Sequence, residues 1–108
     1  MLVATGMKNQ AQTLISSLMN GASMKMRSFL FYERSFYGNS EDEILSDLRS
    51  SLTANPRNKD SLFRLYKIYY NKDDWKKAQY YLKQVVALNP SDSDMLRLNA
   101  QLDVLQGK

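Results

Sequence analysis

The side chains here that could do acid, base or electrostatic chemistry are carboxylates and ammonium groups, because the 108-residue chain contains neither cysteine nor histidine. Their absence removes disulfides, thiolate or imidazole metal ligation, and Cys-His or Ser-His-Asp catalysis. What remains is carboxylate chemistry, which needs acids converging on one bond. The acids instead fall in short local clusters. Glu41-Asp42-Glu43 reads as the first turn of a helix, where carboxylates complement the macrodipole. Asp73-Asp74 and the pair Asp92 and Asp94 read as helix-start caps, since neither has the ligand spacing of a calcium loop. The expectation is a protein without catalytic residues, metal or cofactor. Glu33 is the acid whose replacement would have to abolish turnover if a hydrolase activity existed.

The ammonium groups are better organised. Lys72, Lys76, Lys77 and Lys83 gather around one helical segment with Tyr80 among them, a basic face that could meet phosphates or acidic protein. The alternative is an ordinary solvated outer face. Fifteen Lys and Arg against eleven Asp and Glu give a net charge of +4. That balance favours acidic partners mildly and falls short of a dedicated nucleic-acid binder.

The elements that must position these groups are helices. In residues 60–88, Leu62, Leu65, Tyr66 and Tyr69 recur at i, i+3, i+4 and i+7, a single apolar stripe. Asn71-Lys72-Asp73-Asp74 is a turn with Asp74 as N-cap, after which Trp75, Ala78, Tyr81, Leu82, Val85 and Leu88 mark a second stripe. So short a turn makes the two helices antiparallel. Asn89-Pro90 stops the second, because proline lacks an N–H and pushes its predecessor out of the α region.

Stepping back one period of 34 residues from Pro90 reaches Pro56, which also follows Asn. The earlier unit opens with Met26 to Tyr37, carrying Phe29, Leu30, Tyr32, Phe36 and Tyr37 and ended by Gly38-Asn39 as a left-handed cap. Ser40 and Glu43 form a capping-box pattern before Ile44, Leu45, Leu48 and Leu52. Ser93 to Gln106 holds a further amphipathic helix with Met95, Leu96, Leu98, Leu102, Val104 and Leu105. Lys8 to Asn20 holds another, with Ala11, Leu14, Ile15, Leu18 and Met19 on one face and Asn20-Gly21 as its stop.

These residues resemble the tetratricopeptide repeat family. With Lys59 as first position, Leu62 takes the place where the motif often has tryptophan, and Leu65 and Tyr69 match its leucine and tyrosine. Ala78 matches the small residue at the hairpin contact, Leu82 the aromatic position, and Pro90 the proline. Tyr66, Val85 and Leu82 depart from the usual residues. In the earlier unit the matches thin to Phe31, Ile44, Leu48 and Pro56. The resemblance implies an all-α fold of antiparallel helical hairpins, stacked as a short right-handed solenoid with a C-terminal capping helix. The expected division is 1–7 as a disordered or artificial leader, 8–24 as N-terminal helix and hinge, 25–58 as a divergent repeat, 59–92 as a repeat, and 93–108 as cap.

For function the family implies a protein-binding scaffold: an adaptor, chaperone or assembly subunit. The first helix of each pair then lines a concave groove, formed by Phe29, Glu33, Phe36 and Tyr37 together with Phe63, Arg64, Lys67, Tyr70 and Asn71. The expected occupant is a protein or peptide segment, apolar side chains on the aromatics and an acidic group on Arg64 or Lys67. Other family members grip a C-terminal carboxylate, but Phe29 and Glu33 stand where a cation and an asparagine would be wanted. The competing reading has the N-terminal helix filling this groove, and a third makes it an oligomer contact. Met7, Met19, Met24 and Met26 add an adaptable surface or simply fill gaps. The link from Asn20 to Lys25 is a candidate hinge for domain swapping. Two or so repeats fall below the roughly 3 that a free-standing solenoid usually wants, so a partner, self-association or a longer parent chain is expected to complete the fold. No apolar run approaches the about 20 residues of a bilayer span, which makes membrane insertion unexpected and a cytoplasmic location the default. If residues 1–7 are a cut edge, upstream signals went with the missing part. Nucleic-acid binding through the Lys72 to Lys83 face is the alternative function.

Overall fold

The computed structural model describes residues 5–108, which form six α-helices and no strand. They are α1 (Thr5–Leu18), α2 (Met24–Ser35), α3 (Glu41–Ala54), α4 (Lys59–Asn71), α5 (Trp75–Leu88) and α6 (Ser93–Leu105). Of the expected leader 1–7, residues 1–4 lie outside the described residues, and residues 5–7 belong to α1.

Four helices start where a short polar side chain accepts an N–H that the helix itself cannot satisfy. Ser23 accepts from the Met26 N–H at 3.1 Å, Ser40 from Glu43 at 3.2 Å, Asp74 from Lys77 at 3.2 Å, and Asp92 from Asp94 and Met95 at 3.1 and 3.3 Å. The reciprocal half of the expected capping box is replaced, because the Glu43 carboxylate instead accepts from Gln12 Nε2 of α1 at 3.3 Å. Gly21, with φ +75°, provides the left-handed residue that reverses the chain after α1. Gly38 does not play that part. Its φ is not positive, and it is required for space: a Cβ there would lie 2.7 Å from Ile44 Cγ1 and 3.3 Å from the Ile44 backbone nitrogen.

The chain divides into two compact units, one ending at Asn58 and one beginning at Lys59. In the first, α1 packs on α2 and α2 on α3. Leu30, Leu45 and Leu48 are buried, yet so are Ser28, Ser35, Ser51 and Asp47. Ser28 Oγ donates to the Ser51 carbonyl and Ser51 Oγ to the Ser28 carbonyl, both at 2.7 Å. Each hydroxyl has one hydrogen, so the 3.1 Å Oγ–Oγ approach is a contact and not a third bond. Asn58 Nδ2 completes the set by donating to Ser28 Oγ at 2.8 Å and Ser51 Oγ at 3.2 Å. Arg34 joins all three helices: its Nε and Nη2 donate to Asp47 Oδ1 at 3.1 and 2.8 Å, and its Nη1 donates to Ser16 Oγ at 2.8 Å.

In the second unit α5 lies against both α4 and α6. Its core is Leu62, Leu65, Tyr66, Tyr69, Ala78, Leu82, Val85 and Leu102. Leu62, Leu65, Leu82 and Leu102 are essentially fully buried, each contributing roughly 1.5–3 kcal/mol relative to exposure. Ala78, wholly buried, lets the α4–α5 hairpin close, and the Tyr69 and Tyr81 rings stack at 5.8 Å and 7°. The α5–α6 contact is polar at its centre. Gln79 Nε2 donates to Asn99 Oδ1 at 3.1 Å and Asp103 Oδ1 at 2.7 Å, while its Oε1 accepts from Gln106 Nε2 at 2.6 Å and Lys108 Nζ at 3.1 Å.

The Gly38 contact yields a test. Gly38→Ala is expected to destabilise the first unit by about 1–3 kcal/mol through overpacking against Ile44. In an Ile44→Ala background the same change should cost clearly less, as measured by urea denaturation. Equal costs in both backgrounds would show that the Ile44 contact is not the reason for glycine.

Candidate functional site

Two sets of residues carry the functional expectations, and each is built on one face of a helix. In the first unit, Met26, Phe29, Glu33 and Phe36 follow at i, i+3, i+7 and i+10, within one narrow arc of α2 and its C-cap. Phe29 and Phe36 are 51% and 50% exposed, and Met26 is 49% exposed. Phe36 meets Tyr32 edge-to-face at 5.1 Å, and Glu33 and Tyr37 are half-buried. The N-terminal helix attaches through a different side. Its ties are Gln12 to Glu43 and Ser16 to Arg34, with Ala11, Ile15 and Met19 half-buried. Leu14 and Leu18, expected on the packed stripe, are instead 61% and 55% exposed. The correction has a simple cause: the polar Gln12 and Ser16 face the hairpin, which turns those leucines outward.

In the second unit Phe63, Tyr66, Tyr70 and Trp75 form a chain of ring contacts with centroids 5.3, 5.7 and 5.2 Å apart. Phe63 and Tyr70 therefore already serve the α4–α5 hairpin while remaining half-buried. The Lys67 ammonium sits 5.0 Å from the Phe63 ring centroid, a cation–π contact. Arg64 is half-buried and Asn71 exposed. Burial, followed by the neighbouring Tyr70, raises the Tyr66 phenol above its ordinary value of 10.0.

The expected basic face divides. Lys72, Lys76, Lys77, Tyr80 and Lys83 are all exposed. Lys77, however, turns toward Asp74 at 4.0 Å and lies 5.3 Å from the Tyr69 ring centroid. Lys72 does not line the cleft that the others form. Lys76, Tyr80 and Lys83 border a cleft of about 380 Å³ completed by Gln79, Gln106 and Lys108. The last three had no place in the sequence reading, because only the α5–α6 packing brings 79, 106 and 108 together.

A polar cleft of about 510 Å³ in the first unit is lined by Gln12, Ser16, Arg34, Asp42, Glu43, Ser46 and Asp47. Its one cation already pairs with Asp47 at 2.8 Å. Among the described residues no group of three or more acids is arranged to hold a metal ion, and no helix is long and apolar enough to cross a membrane. No family model matches the chain, and no curated protein matches it either.

The raised phenol at Tyr66 predicts an alkaline signature. A folded-state value above the unfolded one means the unfolded chain releases its proton first, so stability is full below pH 10 and falls as pH rises through the folded value. Tyr66→Phe should flatten that decline relative to the parent chain in chemical denaturation between pH 9 and 11.5. Parallel declines would place the titrating groups elsewhere.

Proposed function

We propose that the chain is a tetratricopeptide-like interaction module, whose hairpins α2–α3 and α4–α5 are repeat units and whose task is to hold another protein. The observation that carries this reading is the exposed apolar face of α2. Met26, Phe29 and Phe36 present large side chains half out of the first unit, while that unit fills its interior with Ser28, Ser35 and Ser51. Contiguous exposed apolar side chains of this size are characteristic of interaction surfaces. Phenylalanine and methionine suit an apolar helix face or an extended segment, and Glu33 in the same arc suits a basic residue flanking it. The expectation of an adaptor, chaperone or scaffold role rests on this face. So does self-association, in which a second copy would cover the same side chains. No cofactor or chemistry enters the reading.

A photo-crosslinking residue at position 36 is expected to give discrete protein adducts in the source cell. Phe29→Ala should weaken them by about 30-fold or more if Phe29 is an anchor of about 2 kcal/mol, with helicity and melting temperature unchanged. Adducts of one mass twice that of the chain would identify self-association. Adducts indifferent to Phe29→Ala would remove α2 as the interaction face.

A further inference from the structure

The second unit carries a separate surface whose chemistry differs from that of α2 and does not depend on the reading above. We propose that the cleft between α5 and the end of α6 binds single-stranded nucleic acid, one base stacking on Tyr80 and the flanking phosphates meeting Lys76, Lys83 and Lys108. Lys76, Tyr80 and Lys83 stand at i, i+4 and i+7 on α5, on one side of the helix. Seven residues of helix span about 10 Å, so a ring at the middle has a cation on either side along the axis. Lys108 closes the cleft from the α6 side.

The charged side chains that line the cleft are all lysines. Asp103 of α6 accepts from Gln79 at 2.7 Å and lies 4.0 Å from the Lys108 ammonium, so it offsets part of that one charge. Lys76 and Lys83 are exposed on α5. Asp74, the N-cap of α5, is engaged by Lys77 at 4.0 Å.

Three features fit a single nucleic-acid strand. First, Tyr80 is 64% exposed among the lysines, and its ring, in edge-to-face contact with Tyr81 at 5.0 Å, offers a surface on which a base can stack. Second, the cleft's cations are lysines, point charges that can each meet one phosphate along a strand. Third, the amide nitrogens in the wall are occupied. Gln79 uses both its nitrogen and its oxygen, and Gln106 Nε2 donates to Gln79 and to the Leu102 carbonyl at 3.0 Å. With those groups engaged, base edges go unread and binding is sequence-tolerant.

Fluorescence anisotropy of labelled 12-nucleotide single strands, dT and mixed-sequence RNA, against the whole chain tests this. With three lysine contacts, log affinity against log salt should have a slope of about −2, a loss of about 20-fold between 50 and 200 mM salt. Lys76→Gln/Lys83→Gln should bring the slope to about −0.7. Tyr80→Ala should lower affinity from about fivefold to about a hundredfold with the slope unchanged, and Tyr80→Phe should retain binding. These side chains are exposed, so unchanged helicity and melting are expected of every variant. No binding at about 0.3 mM protein in 50 mM salt overturns the proposal. So does binding that ignores Tyr80→Ala and is displaced equally, charge for charge, by polyglutamate, which would assign the cleft to acidic protein.

Discussion

How near two antiparallel helices can come is set by the side chains at their crossing, and in each unit the smallest ones stand there. In the first it is Ser28 against Ser51, each hydroxyl donating to the carbonyl of the other helix. In the second, Ala78 on α5 is fully buried, and the tetratricopeptide resemblance assigns it to the hairpin contact. Larger residues at either point would hold the helices apart and expose the leucines around them. The serine pair adds direction to closeness. Because each hydroxyl reaches a particular carbonyl, sliding α2 along α3 by one residue would leave buried donors and acceptors without partners, at about 1–3 kcal/mol for each. Apolar contacts at the same place would have fixed no such register.

Polar connectors of this kind decide which charges are available outside. Arg34 is drawn inward between Ser16 and Asp47, and its guanidinium also lies 5.1 Å from the Phe31 ring centroid. It therefore serves the three-helix assembly and is poorly placed to meet a partner. On α5 the inward side holds Ala78, Gln79, Leu82 and Val85, with Gln79 committed to α6. The lysines are left on the outward side, spaced along the helix.

Periodicity and stop signals made much of the fold legible. The stripe Leu62, Leu65, Tyr66 and Tyr69 and the breaks at Asn89-Pro90 located α4 and α5, and the capping side chains of Ser40, Asp74 and Asp92 marked helix starts. What the sequence concealed was the use made of polar residues. Ser28, Gln79 and Arg34 look like solvent-facing helix positions in a linear reading, and only their neighbours from distant segments, Ser51, Asn99 and Asp47, make them structural. Leu14 and Leu18 failed for the converse reason. An amphipathic pattern identifies a face of α1 but not what covers it, and the hairpin takes the side bearing Gln12 and Ser16. Gly38 illustrates a third limit, since a glycine after a helix signals conformational freedom and close approach equally, and Ile44 decides for the second.

The first unit has inverted the usual placement of residues on α2. Ser28 and Ser35 are fully buried on the same helix whose Phe29 and Phe36 are half exposed. Burying a phenylalanine side chain is worth roughly 1.5–3 kcal/mol, while a buried hydroxyl contributes only about 0.5–1.5 kcal/mol net even when hydrogen-bonded. Selection for the stability of the isolated unit alone would therefore favour exchanging the two kinds of residue. Ser28 has a reason of its own in the close, registered crossing with α3, and Ser35 donates back to the Tyr32 carbonyl of its own helix. Phe29 and Phe36 stay half exposed on that same helix, although Phe36 meets Tyr32 edge-to-face. In the interaction module proposed above, a second surface laid on the aromatic face of α2 is what supplies the apolar burial that the unit itself leaves unmade.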